Sequence, residues 1–209
     1  MIICMCKIIC VTNRKLCNED FLVRIGKIAE SQPDAIILRE KDLSQNEYTL
    51  LAEKVMKICD EHNVRCILHS FVNSAIELNA EYIHLPLNIL RGTDKKILSG
   101  FKKIGSSCHS VEDAKEALSL GAGYITAGHV YETDCKKGLV PRGTAFLKSV
   151  CESVDIPVYA IGGISPQNIK NTLNAGADGV CIMSGFMNCP DVSEYMKSLR
   201  KESENARQK

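Results

Sequence analysis

The feature that most constrains the fold is a repeated alternation of short apolar runs and longer segments with helical spacing. Eight runs rich in β-branched residues have the length of strands, and they lie at 7–12, 34–40, 65–69, 82–85, 102–107, 123–128, 157–162 and 178–183. Because these runs are apolar almost throughout, we expect burial on both faces, as in a parallel sheet covered by helices. Segments with helical periodicity lie between them, at 18–31, 44–63, 71–80, 110–121, 143–154 and 165–176.

Local signals place the starts of several of these helices. Ser44 is followed three residues later by Glu47, which is the spacing of a capping box. Ser110 and Asp113 stand in the same relation. Ser165-Pro166 predicts a helix that starts directly after the preceding glycines.

The number of repeats indicates the fold class. Eight β–α units of about 26 residues each fill the chain, which favours a single-domain α/β fold, the (β/α)8 TIM barrel. An open doubly wound sheet is the main alternative. We predict one barrel domain over residues 1–200 and a charged C-terminal tail over 201–209.

Charge and cysteine usage exclude several classes of protein. The chain has 26 basic and 25 acidic side chains and no Trp, so we expect neither a nucleic-acid partner nor a membrane-surface partner. Eleven cysteines occur without any C-x-x-C spacing, which predicts a reduced, cytoplasmic protein rather than a disulfide framework or a zinc site.

The ends of the last two predicted strands predict a phosphate site. In such a barrel the active site lies at the C-terminal ends of the strands, and the loops after strands 7 and 8 commonly bind phosphate. Gly162 and Gly163 permit close backbone approach just before a predicted helix, and Ser184 and Gly185 follow strand 8. The alternative is that these are two ordinary tight turns.

Three cationic residues follow strands on the same side of the predicted barrel. Arg39 and Lys41 follow strand 2, and Lys136 lies in the loop after strand 6. They suit a small anionic substrate, although a lone surface lysine is more often only solvated.

His129 opens the loop after strand 6, in the stretch TAGHVYETDCKKG. Histidine is the residue type most often used for proton transfer, so His129 is a candidate acid or base, with an exposed loop histidine as the alternative. Mg²⁺ requires oxygen ligands, usually carboxylates. The ends of strands 3 and 4 offer none, and Asp42 and Asp134 are the remaining candidates elsewhere, so we predict no metal site.

Several motifs together resemble one known family. They are REK at 39–41, GSSCHS at 105–110, GxxYxTxxKK at 128–137, AIGGIS at 160–165 and AGADGVCIMSG at 175–185. In this order they are similar to the thiamine-phosphate synthase/TenI family, and the resemblance covers about residues 7–200. It implies a possible homodimer, and it adds Ser107 and Thr133 to the residues lining the site beside Arg39, Lys41 and Lys136.

The family has two branches, and the resemblance implies one of them. The synthase branch couples hydroxymethylpyrimidine diphosphate to thiazole phosphate with Mg²⁺, and its pattern has acidic residues where this chain has Ser70 and about Ile89. The loop at His129 is closer to the tautomerase branch, in which that histidine is the catalytic acid/base. We therefore predict a thiazole tautomerase, an isomerase without cofactor that aromatises the dihydro tautomer of carboxythiazole phosphate. The synthase, with Mg²⁺, and a non-catalytic regulatory protein that binds thiazole phosphate are the alternatives.

Overall fold

A computed structural model describes residues 6–133 and 138–207, and its eight strands form a closed parallel barrel. Each of the eight predicted runs corresponds to one strand, and β4 and β5 each extend one residue beyond the predicted run. The strands are β1 Lys7–Val11, β2 Ala35–Leu38, β3 Cys66–His69, β4 Tyr82–Pro86, β5 Lys103–Cys108, β6 Tyr124–Gly128, β7 Val158–Ile161 and β8 Gly179–Ile182. Pairing of β1 with β8, in which Ile8 lies opposite Val180, closes the ring. The predicted (β/α)8 TIM barrel is therefore confirmed, and the open sheet is excluded.

Helices connect the strands and cover the outside of the barrel. They are α1 Phe21–Glu30, α2 Gln45–Glu61, α3 Val72–Glu77, α4 Leu87–Gly92, α5 Lys95–Leu98, α6 Val111–Ser119, α7 Gly143–Ser153, α8 Ile169–Asn174, α9 Ser184–Asn188 and α10 Val192–Arg207, with a 3-10 turn at Arg14–Leu16. The last helix includes residues 201–207, and Ser203 within it is buried.

The cap signals in the sequence are correct for α2 and α6. The Ser44 hydroxyl accepts from the Glu47 backbone N–H, and the Glu47 carboxylate accepts from the Ser44 backbone N–H at 2.8 Å. At α6, the Ser110 hydroxyl accepts from the Asp113 backbone N–H at 2.9 Å. Both caps satisfy backbone groups that a helix leaves unpaired at its start.

The predicted start of the helix at Ser165 is wrong, because α8 begins only at Ile169. The side chain of Asn168 bridges the intervening turn. Its Oδ1 accepts from the Ser165 backbone N–H at 2.9 Å, and its Nδ2 donates to the Gly163 carbonyl at 2.8 Å. Asn168 thus fixes the turn that connects the two glycines to the helix.

The sheet separates two apolar cores. The larger one lies between the strands and the helices, and it includes Ile8, Leu68 and Phe186. The smaller one fills the barrel interior with residues that alternate along the strands, among them Ile9 and Ile37.

A tyrosine enters the barrel interior where a glycine gives it room. Gly105 lies opposite Tyr124 on the neighbouring strand, and a Cβ on Gly105 would lie 2.0 Å from Cζ of Tyr124. A larger residue at Gly105 would therefore displace the tyrosine ring.

No helix within residues 6–133 and 138–207 combines the length and the apolar character needed to cross a membrane.

Candidate active site

A cavity of about 230 Å³ opens at the C-terminal ends of the strands. Its wall contains residues from all eight strands or the loops that follow them. Eight of the ten residues predicted from sequence line it: Arg39, Lys41, Ser107, His129, Thr133, Gly162, Gly163 and Ser184. Gly185 is not part of the lining, and Lys136 lies outside the described residues.

Arg39 and Lys41 form a cationic edge of the cavity, and the buried carboxylate of Glu40 between them fixes the backbone at this point. Glu40, between them, is 2 % exposed and points away from the cavity. It accepts from the Thr12 hydroxyl at 2.7 Å and from the Arg14 backbone N–H at 3.0 Å, and it pairs with the Arg14 guanidinium at 3.1 Å. The Arg39 backbone N–H in turn donates to the Thr12 hydroxyl at 2.9 Å. We call Thr12, Arg14 and Glu40 the β1–β2 clamp.

The ends of β3 and β4 contribute a pair of stacked imidazoles. The rings of His69 and His84 lie 5.5 Å apart with an interplanar angle of 17°. His84 contacts the Ser107 hydroxyl through Nε2 at 2.9 Å and the Tyr124 hydroxyl through Nδ1 at 3.1 Å. The Nδ1 atom of His69 lies 2.7 Å from the Ser70 hydroxyl.

Both imidazoles are held in the neutral form. Burial lowers the pKa of His84 to about 3. Burial lowers the pKa of His69 well below its usual value, and the neighbouring His84 and the positive charges of Arg39 and Lys41 act in the same direction. Neutral imidazole has one donor and one acceptor, so this end of the cavity can form hydrogen bonds without carrying charge.

The loop after β7 has the backbone conformation of an anion-binding turn. Gly162 and Gly163 have φ angles of +100° and +66°, which side chains other than glycine rarely adopt. No acceptor in the described part of the chain takes the backbone N–H of Gly163, and Ser184 lines the cavity nearby after β8. A backbone N–H of this kind suits a phosphate oxygen.

Gly185 has a packing role in the structure. A Cβ there would lie 2.0 Å from the hydroxyl of Tyr195 on α10, so only glycine fits beside this tyrosine. Its predicted contact with phosphate stays a prediction.

The loop after β6 places His129 in the wall of the cavity rather than on the surface. His129 is 6 % exposed, and its Nε2 lies 3.3 Å from the Leu139 carbonyl. Its Nδ1 is buried and has no hydrogen-bond partner within the described residues. A buried polar atom of this kind is costly unless a ligand or a water satisfies it.

The residues at the cavity do not fit the Mg²⁺ that the resemblance implies for the synthase branch. Ser70 follows β3 and Pro86 is the last residue of β4, where carboxylates would be required. Asp134 lies outside the described residues. Two carboxylates near the end of β2 are already paired: Glu40 belongs to the β1–β2 clamp, and Asp42 binds the Arg14 guanidinium at 2.7 Å. Across residues 6–133 and 138–207, no group of three or more His, Cys, Asp or Glu is arranged to hold a metal ion.

Sequence reasoning did not assign a role to His69, His84 or Tyr124. The two histidines lie within the predicted apolar runs 65–69 and 82–85. Tyr124 was read only as part of an apolar strand. Its signal was Gly105, because a glycine facing an aromatic residue across a parallel pair indicates a ring that crosses the barrel.

Comparisons with a family model, with relatives and with a solved structure all point to the same family. The model of the TMP-TENI family, described as thiamine monophosphate synthase, matches residues 8–186. The chain is 32 % identical over 200 residues to a thiamine-phosphate synthase of Clostridium novyi, covering 92 % of this chain and 96 % of the relative. It is 32 % identical over 200 residues to a thiamine-phosphate synthase of Pyrococcus abyssi, covering 93 % of each. A solved structure of thiamine phosphate pyrophosphorylase from Pyrococcus furiosus superposes with a TM-score of 0.83 at 28 % identity, covering 96 % of both chains.

These relatives overturn the prediction of a thiazole tautomerase and of an isomerase. They carry the synthase name at 31–32 % identity over nearly the whole chain. The prediction depended on His129 and on the missing carboxylates, and neither is diagnostic. A buried histidine can bind substrate as well as move a proton, and cationic side chains can neutralise a phosphate without a metal. The chain belongs to the thiamine monophosphate synthase (TMP-TENI) family.

Proposed function

We propose that this chain is a transferase of the thiamine-phosphate synthase type, which couples hydroxymethylpyrimidine diphosphate to thiazole phosphate. The observation that carries the proposal is the identity of 31–32 % to thiamine-phosphate synthases over more than nine-tenths of the chain. In this reaction the ring nitrogen of the thiazole forms a bond to the methylene carbon of the pyrimidine. The bond from that carbon to the diphosphate oxygen breaks, and inorganic diphosphate leaves.

Two separate groups of residues lining the cavity support the proposal of two anionic substrates. Arg39 and Lys41 follow β2, whereas Gly163 and Ser184 follow β7 and β8. We assign the diphosphate to the two cations, since charged donors bind phosphate oxygens most strongly. The backbone N–H of Gly163 and the Ser184 hydroxyl would hold the single phosphate of the thiazole, with Gly162 shaping the loop and Gly185 next to it.

The remaining cavity residues would orient the rings. Ser107 contacts the neutral His84, and Thr133 lines the cavity four residues after His129 in the loop that follows β6. The new bond uses the lone pair of the thiazole nitrogen, so no proton has to leave that atom. We therefore assign His129 a catalytic role as a hydrogen-bonding group at the reacting centre, through its buried Nδ1. Lys136 remains a proposed ligand of the diphosphate.

The test is a coupling assay with the purified full chain. Hydroxymethylpyrimidine diphosphate and thiazole phosphate are supplied with and without Mg²⁺, and thiamine phosphate and inorganic diphosphate are measured by chromatography. We expect the two products in equal amounts. Lys41→Met should reduce kcat/KM by about 100-fold, from the loss of a charge-assisted contact that strengthens as the diphosphate leaves.

Lys57→Met is the matched control, because Lys57 is an exposed lysine on α2 that does not line the cavity. It should keep the wild-type rate. Absence of thiamine phosphate under both metal conditions would contradict the proposed function.

A further inference from the structure

The β2 end of the cavity carries two positive charges at a fixed spacing. Arg39 and Lys41 are two residues apart and both line the cavity, whereas Glu40 between them turns inward to the β1–β2 clamp. Both charges reach the β3 end, since they contribute to lowering the pKa of His69. Two cationic side chains therefore border this part of the cavity.

The two carboxylates that flank these cations in sequence are engaged outside the cavity. Glu40 is occupied by the Thr12 hydroxyl and by Arg14, and Asp42 is occupied by Arg14 and by Lys15 at 2.9 Å. Neither Glu40 nor Asp42 is part of the cavity lining. Neither of these two carboxylates would therefore face a divalent cation placed in the cavity.

The imidazole pair offers little to such a cation. Both ring nitrogens of His84 already contact hydroxyl groups, and Nδ1 of His69 contacts Ser70. Only Nε2 of His69 remains for a ligand within the described residues. Mg²⁺ favours hard oxygen donors in an octahedral arrangement, so one imidazole nitrogen does not make a site.

From this arrangement we infer that Arg39 and Lys41 themselves neutralise the diphosphate, so that this enzyme binds and releases it without a divalent cation. The inference rests on the proposed function, in which diphosphate is the leaving group. The neutral imidazoles fit this role, because they add hydrogen-bonding groups beside the anion without adding a third positive charge.

Binding of inorganic pyrophosphate to the full chain tests the inference directly. Calorimetric titration is done in EDTA and again in excess Mg²⁺, at the same ionic strength. We expect binding in EDTA, with a dissociation constant that Mg²⁺ tightens by no more than about threefold. Lys41→Met should weaken binding in EDTA by about tenfold or more, while Lys57→Met should not change it. Binding that occurs only with Mg²⁺, or that Mg²⁺ tightens more than threefold, overturns the inference.

The coupling assay separates failure of this inference from failure of the proposed function. Thiamine phosphate formed equally in EDTA and in Mg²⁺ supports the inference. Product formed only with Mg²⁺ overturns it and leaves the proposed function in place. Absence of product in both conditions overturns the proposed function, and the calorimetry then decides the metal question alone.

Discussion

Replacement of Glu40 by glutamine tests whether the β1–β2 clamp holds the cationic edge of the cavity. Glu40 is almost fully buried, and its two oxygens accept from Thr12 and from both the backbone and the guanidinium of Arg14. An amide has only one accepting oxygen. In its best orientation, the new amide of E40Q keeps the contacts of Oε1 and turns its NH₂ group toward the guanidinium, where donor meets donor.

The structure sets the size of the effect. The variant loses one charge-assisted hydrogen bond in a buried place, which is worth about 1.5–3 kcal/mol. Arg14 is 30 % exposed and keeps Asp42 at 2.7 Å, so the loss should lie near the lower end. We expect the free energy of unfolding to fall by about 2 kcal/mol, and the melting temperature of a chain of this size by about 4–8 °C.

Two measurements check the prediction. Urea unfolding reports the stability, and pyrophosphate calorimetry reports the placement of Arg39 and Lys41, with about tenfold weaker binding expected. Glu53→Gln on the exposed face of α2 is the matched control and should change neither. If Glu40→Gln unfolds within about 0.5 kcal/mol of wild type, the range of neutral surface substitutions, then the clamp reasoning is refuted.

Two further predictions concern acid stability and the glycine loop. The pKa of His84 is about 3 in the folded chain, below its unfolded value near 6.5. Its contribution to the free energy of unfolding is therefore complete above pH 6.5 and is lost as the pH falls, by about 2 kcal/mol between pH 7 and pH 5. Urea unfolding at both pH values should show a smaller acid loss for His84→Gln than for wild type, and equal losses would contradict the assignment. Gly162→Ala should lower stability by about 1–3 kcal/mol, because its φ is +100° and its new Cβ would lie 2.4 Å from Cβ of His129. Gly26→Ala in α1 is the control, because nothing lies within 4 Å of a Cβ added there, and it should stabilise the chain slightly. Equal unfolding midpoints for the two variants would disprove the steric argument.

Much of the fold was predictable because its signals are local. The eight strands follow from apolar runs, and the caps at Ser44 and Ser110 follow from side chains three residues apart. The start of α8 was not predictable in this way. Ser165-Pro166 is a good helix start, but Asn168 competes by binding the Ser165 N–H and the Gly163 carbonyl, and the helix is delayed to Ile169.

The cavity was predictable in outline, since most of the proposed residues line it, but its chemistry was not. Stacking of His69 on His84 depends on the register between β3 and β4, and the contact of His84 with Tyr124 crosses two strand pairs. The choice of branch failed for a related reason. The missing carboxylates argue against a synthase when the sequence is considered alone, because the sequence does not show how the clamp places Arg39 and Lys41 at the cavity.

The closure of the barrel between β1 and β8 has a consequence for synthesis of the chain. Ile8 pairs with Val180 and Cys10 with Ile182, so the first strand has no partner on that side until nearly the whole chain has left the ribosome. The cavity wall joins Val11 to Ile182 at this seam. A nascent chain that stops before β8 therefore exposes an unpaired edge of β1 and has no complete binding site. Until β8 is made, we expect this edge to favour aggregation and to be open to proteases and chaperones.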